Sequence, residues 1–143
     1  MKKQIIIITI IFVVLILSGL YYFFQKNQKS AEINGHKFKL ELAISREEKE
    51  RGLSGRDGLC QECGMLFIFP QKGIDNFWMK DMQFDLDIIW ISDGRIVYLA
   101  KNIAYDNKIT IKPGKPADQV LEINAGLSDR YGLKEGDKVT MSY

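Results

Sequence analysis

The sequence predicts a mainly β domain, a compact antiparallel sandwich or barrel-like fold of six or seven short strands with one or two short helices. Two observations support this fold class: apolar and polar residues alternate with a period of two in several segments, and turn residues separate those segments. A third observation is that the 143-residue chain has no repeating strand–helix–strand pattern. A chain of this length suggests one domain with appendages.

A transmembrane anchor is predicted before the domain. Residues 5–24 are apolar apart from Thr9, Ser18 and Gly19, and a helix of this length spans about 30 Å, the thickness of a bilayer's hydrocarbon core. We find no convincing small-x-small cleavage site, so an uncleaved anchor is favoured over a cleaved signal peptide. Residues 1–4 are then a short tail and residues 25–35 a linker. The membrane is the first predicted partner, and we expect a single-pass protein with its N terminus in the cytoplasm and the domain, residues 36–143, outside.

Charge and composition exclude some functions. Residues 1–30 contain four lysines and no acid, which leaves 20 − 4 = 16 basic and 18 acidic side chains in the remainder. A domain without a basic surplus is not expected to bind nucleic acid. With two cysteines and one histidine, the sequence predicts neither a metal site nor a cofactor.

The first elements of the domain follow from local patterns. Apolar residues alternate from Phe38 to Ile44, which predicts a half-buried strand. Ser45 and Glu48 then have the spacing of a capping box, so a short helix is predicted from Arg46 to about Arg51. Gly52 ends that helix, because glycine adopts the left-handed conformation at little cost.

The remaining elements are short strands. Met65 to Phe69 is apolar throughout, which predicts a strand covered on both faces and ended by Pro70. The pair Asp93-Gly94 predicts a tight hairpin turn between two strands. The strands on either side of that turn are predicted at 84–91 and 96–100. The other predicted elements are a strand at 77–79, a long loop over 102–117, a strand at 119–123, a helical turn reaching 131 and a last strand at 138–141.

Several blocks of the sequence occur in the order of one family's motifs. They are RGLSGR (51–56), GMLFIF (64–69), FWMKDM (77–82), LDIIWI (86–91), VLEINAG (120–126) and GLKEGD (132–137). Over roughly Phe38 to Val139 the chain therefore resembles the uncharacterised domain-of-unknown-function 192 (DUF192) family. The resemblance implies a compact, mainly β domain, often secreted or membrane-anchored, with no accepted enzymatic activity. Two features depart from the family pattern: Asp85 stands where proline is common, and the loop before GMLF carries two cysteines.

Those cysteines, Cys60 and Cys63, form a C-x-x-C pair. A local disulfide, a redox dithiol and half of a zinc site are the three alternatives. No helix is predicted to start there and His36 is the only further soft ligand, so a local disulfide is favoured. A location outside the cytoplasm also favours oxidation.

A candidate ligand site lies where the loop Arg51–Arg56 meets the segment Phe77–Asp81. Arginines with a lysine could bind a carboxylate or phosphate, and carboxylates beside aromatic rings could bind a sugar or peptide. The alternative is structural, with carboxylates on the solvent face of strands and arginines holding loops. Trp78 and Trp90 fit the core better than a ligand platform, yet Trp78 stays a candidate by its position. The predicted site residues are Arg51, Arg56, Trp78, Lys80, Asp81 and Asp87.

Two pairs of polar residues share strand parity. Asp85 and Asp87 should face the same side and could act together. Glu122 and Asn124 could face one cleft, although a solvent-facing strand and a helix cap explain them equally well.

Three functions remain open from the sequence. The leading hypothesis is a non-enzymatic binding module of the cell envelope, with a small-molecule, glycan or protein ligand. The second is a hydrolase or transferase that uses Asp81, Asp85 or Asp87 as acid or base. The third is a thiol redox accessory acting through the cysteine pair.

Overall fold

The computed structural model describes residues 2–26 and 28–143, which form an apolar N-terminal helix and a curled seven-stranded sheet with short helices. The mainly β prediction is confirmed. The helices are α1 (Lys2–Lys26), α2 (Arg46–Arg51) and α3 (Leu127–Arg130). The strands are β1 (Ser30–Ile33), β2 (His36–Ala43), β3 (Cys63–Gly73), β4 (Leu86–Ser92), β5 (Arg95–Ile103), β6 (Ala117–Asn124) and β7 (Val139–Ser142).

Helix α1 is long and apolar enough to cross a membrane. In its apolar stretch, Lys2–Phe23, none of the residues whose burial the structure describes is buried against the domain. Length and composition fit a membrane anchor, and they also fit a signal sequence. The helix includes the predicted anchor and reaches back through most of the segment that was predicted to be a tail.

The folded domain begins before residue 36, within the segment that was predicted to be a linker. Strand β1 occupies its second half, where Ala31 and Ile33 are buried. Asn34 and Gly35 have φ angles of 51° and 79°, which suit the tight hairpin that joins β1 to β2. The linker prediction overlooked this Asn-Gly turn, and the domain starts at about Ser30.

The sheet has the order β5-β4-β6-β3-β2-β1-β7. Neighbouring strands are antiparallel except for β2 and β3, which pair in parallel from Lys39–Cys63 to Ala43–Phe67. A parallel pair needs a crossover, and α2 with the loop after it supplies the connection. The two outer strands approach each other at one end, where the amide of Ile96 donates to the carbonyl of Asp137 (3.0 Å). The sheet therefore curls into a half-barrel.

Two apolar layers cover the two sides of the central strands. Strand β4 is buried along its whole length because it belongs to both layers. Inside the curl, Phe38, Leu66, Ile89, Leu121 and Ile123 pack with Leu127 of α3. On the outer side, Phe67, Ile88, Trp90 and Val120 are covered by Leu53, Met79 and Met82.

Strand β3 does not end at Pro70, as the sequence predicted, but continues to Gly73. Its register against β6 shifts between Ile68 and Gly73. A proline lacks the amide that a regular ladder needs, and it is tolerated where the ladder is interrupted. The predicted strand over residues 77–79 is reduced to one bridge, between Phe77 and Ile111.

Candidate functional site

A cavity of about 370 Å³ lies between α2 and the segment 75–82, above strands β3 and β6. This volume falls within the range of about 300–1,000 Å³ that is usual for small-molecule sites. Its apolar lining consists of Leu53, Phe67, Phe69, Phe77, Trp78 and Met82. Its charged lining consists of Arg46, Lys49, Glu50, Arg51, Asp75 and Glu122.

Helix α2 forms the first wall, and its start is set by the predicted capping box. The hydroxyl of Ser45 accepts from the amide of Glu48 (3.2 Å), and the Glu48 carboxylate accepts from the amide of Ser45 (2.8 Å). The Ser45 amide is the first cause that lowers the pKa of Glu48. The helix directs Lys49 towards Phe69, with Nζ 4.7 Å from the ring centroid. At its last turn lies Arg51, which is exposed and forms no ion pair with the residues that the structure describes.

The opposite wall is held by aromatic packing. The ring of Phe77 meets Phe67 edge-on (centroids 5.0 Å apart) and Trp90 in the same way (5.5 Å). The indole nitrogen of Trp90 donates to the carbonyl of Asp75 (3.0 Å) and so fixes the start of this wall. Trp78 follows Phe77 in the chain and stays 57% exposed beside the cavity. The packing thus fixes Phe77 and leaves the Trp78 ring accessible.

A turn at Lys80 and Asp81 joins the two walls. The hydroxyl of Ser54 donates to the Lys80 carbonyl (2.8 Å), and the amide of Gly55 donates to the Asp81 carbonyl (2.8 Å). Asp81 has a φ of 54°, a conformation that aspartate tolerates better than most residues. The backbone of this pair therefore has a structural role, while both side chains are exposed and outside the cavity lining.

Glu122 belongs to the floor of the cavity. It lies on β6, with Met65 of β3 and Ile88 of β4 as its ladder neighbours, and is only 5% exposed. Burial raises the pKa of its carboxyl to about 8. Within the part of the chain that the structure describes, no hydrogen bond or neighbouring charge offsets this effect. The carboxyl is therefore mostly protonated at neutral pH, and no described residue forms a hydrogen bond with it.

Of the six predicted site residues, the structure brings Arg51 and Trp78 to the cavity. Arg56 instead forms a two-pronged ion pair with Glu41 (2.8 and 2.9 Å). This hydrogen bonding is the first cause that lowers the pKa of Glu41. The turn at residues 80–81 lies beyond the lining, so four of the six residues are outside the cavity.

Asp87 is the most deeply buried of those four. Its carboxylate is fully enclosed on the inner side of the sheet and accepts from the backbone amides of Asn102 (2.7 Å), Ser128 (2.8 Å) and Gly126 (3.3 Å). Asp85 stays exposed and accepts from a backbone amide in the loop after β5 (2.8 Å). The expectation of a solvent-facing or cooperating carboxylate pair does not fit this arrangement, because each aspartate holds a different part of the backbone.

Cys60 and Cys63 are at disulfide distance, with Cα atoms 5.1 Å apart. The Asn124 side chain donates to the Cys60 carbonyl (2.9 Å), so Asn124 holds this loop and does not cap α3. The N-cap of α3 is Gly126. The cysteine loop leads into a strand, without the helix N terminus that lowers the pKa of redox thiols. Among the described residues, no group of three His, Cys, Asp or Glu side chains could hold a metal ion.

Comparison with known proteins gives the family of the chain. A family model for DUF192, described as an uncharacterized ACR, matches residues 29–141. The chain belongs to the DUF192 family. A search of curated proteins found no significant match.

Two crystal structures resemble this DUF192 protein closely. A protein of unknown function from Novosphingobium aromaticivorans DSM 12444 is 35% identical, with a TM-score of 0.74 over 78% of this chain and 83% of that one. A Sinorhizobium meliloti 1021 protein described as a "putative transcription regulator" is 31% identical, with a TM-score of 0.75 over 80% of this chain and 93% of that one. Both therefore share the DUF192 fold over most of their length.

The residue that sequence analysis weighed without selecting is Glu122 of this DUF192 domain. One signal pointed to it: Val120, Leu121 and Ile123 surround it with apolar residues of both strand parities. A strand with apolar residues on both faces is covered on both faces. A single acid in such a strand is therefore enclosed, and it is a candidate for a functional role.

Proposed function

We propose that this DUF192 domain is a non-enzymatic module that binds a small ligand in the cavity between α2 and the segment 75–82. The observation that supports it most is the cavity itself, in which aromatic walls surround the carboxyl of Glu122, to which none of the described residues donates a hydrogen bond. Sites of this kind are mainly apolar, with a few polar groups that orient the ligand. Arg51 and Trp78 complete the site as an exposed cation and an accessible ring.

The lining argues for binding more than for covalent chemistry. Ser54 is the only hydroxyl side chain in the lining, and its oxygen is engaged with the Lys80 carbonyl. Neither cysteine nor histidine lines the cavity. A nucleophile needs an adjacent base or a lowered pKa, and the lining supplies neither. The cavity thus lacks an activated nucleophile for a hydrolase or transferase.

An acid–base enzyme is the second candidate, because the pKa of Glu122 lies near neutral pH, as it does for many general acids. The aspartates that the sequence suggested for this role, at positions 81, 85 and 87, do not line the cavity. In this alternative Glu122 would act with Asp75, the other unpaired carboxylate in the lining. If the wild type turns over a ligand and the Glu122→Gln variant does not, an enzyme is favoured over a binding module.

Truncation of Trp78 is expected to weaken binding of cavity ligands. Compounds can be selected by the thermal stabilisation that they give to the full-length protein in lipid nanodiscs. For such compounds, Trp78→Ala should weaken binding by about fivefold or more, because it removes an aromatic contact surface worth about 1–3 kcal/mol. Arg51→Ala should weaken the binding of anionic compounds in particular, because it removes the exposed guanidinium of Arg51 from the cavity.

Lys80→Ala and Arg56→Ala are the matched controls for this experiment. Both remove a cation next to the cavity walls without touching the lining, so affinity should be unchanged. Compounds that bind the Trp78 and Arg51 variants as tightly as the wild type would show that the site lies elsewhere.

The proposed module is tethered to the cell membrane by α1, with the N terminus cytoplasmic and the domain outside. The unburied apolar helix and the Cys60–Cys63 disulfide support this arrangement, because disulfides persist in oxidising compartments. In intact cells, protease added outside should cleave the domain while a cytoplasmic marker stays whole. Thiol reagents should not label the protein after an acid quench unless it is first reduced. A domain that is protected, or that carries labelled cysteines without reduction, would contradict this location.

A further inference from the structure

We propose that the cavity takes a small organic cation, a protonated amine with an apolar body, whose ammonium group forms an ion pair with Glu122 on the cavity floor. This inference rests on the proposed binding function and adds the chemical class of the ligand. It follows from the burial of Glu122, the groups that face it and the aromatic walls around it.

Glu122 has no hydrogen-bond or ion-pair partner among the residues that the structure describes. It is 5% exposed and lines the cavity, and its ladder neighbours on β3 and β4 are apolar. Its carboxyl oxygens are not among the fully enclosed side-chain atoms without a hydrogen-bond partner, where the described residues contribute Ser128 Oγ, so they keep access to the cavity. The carboxyl therefore occupies a position where a ligand's polar group can satisfy it.

Within residues 2–26 and 28–143, no cation forms an ion pair with Glu122 on the cavity floor. Among the residues that the structure describes, none forms an ion pair with Glu122, and burial is what raises the pKa of its carboxyl. Segment 53–54 and strands β3 and β4 place no charged side chain on the cavity lining. The charged groups that face the cavity from the other packed elements are Arg46, Lys49, Glu50 and Arg51 from α2 and Asp75 from the segment 75–82.

Those cations are engaged or lie at the rim. Arg46 pairs with Glu50 (2.7 Å), and Lys49 lies over the Phe69 ring. Arg51 is exposed to solvent, where its charge is screened. A positive charge next to Glu122 must therefore come from the ligand.

The walls also suit a cation. Phe67, Phe77 and Trp78 present aromatic surface inside or beside the cavity. Ring faces attract ammonium groups, most strongly where water is excluded. An ammonium group that enters would meet a carboxylate below and aromatic rings around it, and its apolar body would cover the remaining ring surface.

The experiment uses three compounds of nearly equal size: 2-phenylethylammonium, the neutral 2-phenylethanol and the anionic 3-phenylpropionate. Binding to the full-length protein in nanodiscs is measured by calorimetry in buffers of different ionisation enthalpy. We expect the amine to bind at least tenfold more tightly than the alcohol at about pH 9, where Glu122 is ionised. The fluorescence emission of Trp78 gives a second measure of binding. Trp78 is exposed beside the cavity, whereas the other tryptophan, Trp90, is buried.

Proton release identifies the group that pairs with the amine. Glu122 must ionise on binding, so about 0.9 proton should leave per amine at about pH 7, and the amine affinity should fall about tenfold per pH unit below about pH 8. The alcohol should release none. Glu122→Gln should lose both the preference for the amine and the proton release, whereas Glu41→Gln, the same change outside the cavity, should retain both.

The outcomes separate the ligand class from the proposed function. If the alcohol or the carboxylate binds as tightly as the amine, or the amine preference survives Glu122→Gln, the ligand class is wrong and the binding function stands. If none of the three compounds binds at any pH, both are wrong. Proton release is measured on the wild-type protein, so the result does not depend on the variant folding.

Discussion

Replacement of Asp87 by alanine is expected to lower the free energy of unfolding by about 3 kcal/mol. The carboxylate is fully buried and accepts from three backbone amides, those of Asn102, Gly126 and Ser128. Hydrogen bonds to a charged group contribute about 1.5–3 kcal/mol each, and a buried amide left without an acceptor costs about 1–3 kcal/mol. Urea unfolding of the full-length protein in nanodiscs, followed by the emission of Trp90, measures the change.

Asp85 provides the matched control for this prediction. It has the same side chain two residues earlier and also accepts from a backbone amide, but it is exposed. Asp85→Ala should lower the free energy of unfolding by less than about 1 kcal/mol, because water replaces the lost acceptor. Equal effects of the two substitutions would show that burial of Asp87 does not stabilise the connection between the end of β5 and the start of α3.

The stability of the ligand-free domain is expected to fall as pH rises from about 4.5 to about 8, with a contribution of about 1.4 kcal/mol per pH unit from Glu122 alone. Burial raises the pKa of this carboxyl from its ordinary value of 4.5 to about 8. Between these values the folded state holds a proton that the unfolded state has lost. Stabilisation by that proton is complete below about pH 4.5 and is lost as pH passes about 8.

The difference between the wild type and Glu122→Gln isolates this contribution. Glutamine is uncharged at every pH, so the variant should lack this part of the slope and should exceed the wild type in stability by a growing margin up to about pH 8. Other carboxylates act in the opposite direction at lower pH. Hydrogen bonds from Lys101 to Asp129 and from Lys72 to Asp93 lower the pKa of those two acids. Parallel stability curves for the two proteins between about pH 5 and 8 would contradict an enclosed, unpartnered Glu122.

Much of the local structure was predictable because its causes are local. The capping box of Ser45 and Glu48 predicted the start and length of α2 to the residue. The Asp93-Gly94 turn has the positive φ angles of 51° and 67° that the sequence implied. Two errors at element boundaries arose where a strand interruption accommodated Pro70 and where the Asn-Gly turn after β1 was overlooked.

The candidate site was predictable only in part. Its region was placed between the loop after α2 and the segment from Phe77, and the cavity lies beside both. Trp78 is exposed while Trp90 is fully buried, a difference that two tryptophans in similar apolar contexts do not reveal. In the sequence, Asp87 lies between apolar residues of a strand, a pattern that an ordinary solvent-facing acid also has. Only the fold shows that three backbone amides converge on its carboxylate.

The sequence by itself determined most of the strands, the capped helix, the apolar N-terminal helix and the family, because each depends on neighbouring residues or on ordered motifs. The tertiary structure decided the parallel pairing of β2 with β3, the curl of the sheet and the cavity. These features depend on contacts between residues far apart in the chain, which a periodic pattern does not encode. Glu122 is the clearest case: the apolar residues around it indicate a covered strand, and only the tertiary structure shows that α2 and the segment 75–82 are the elements that enclose it over β6.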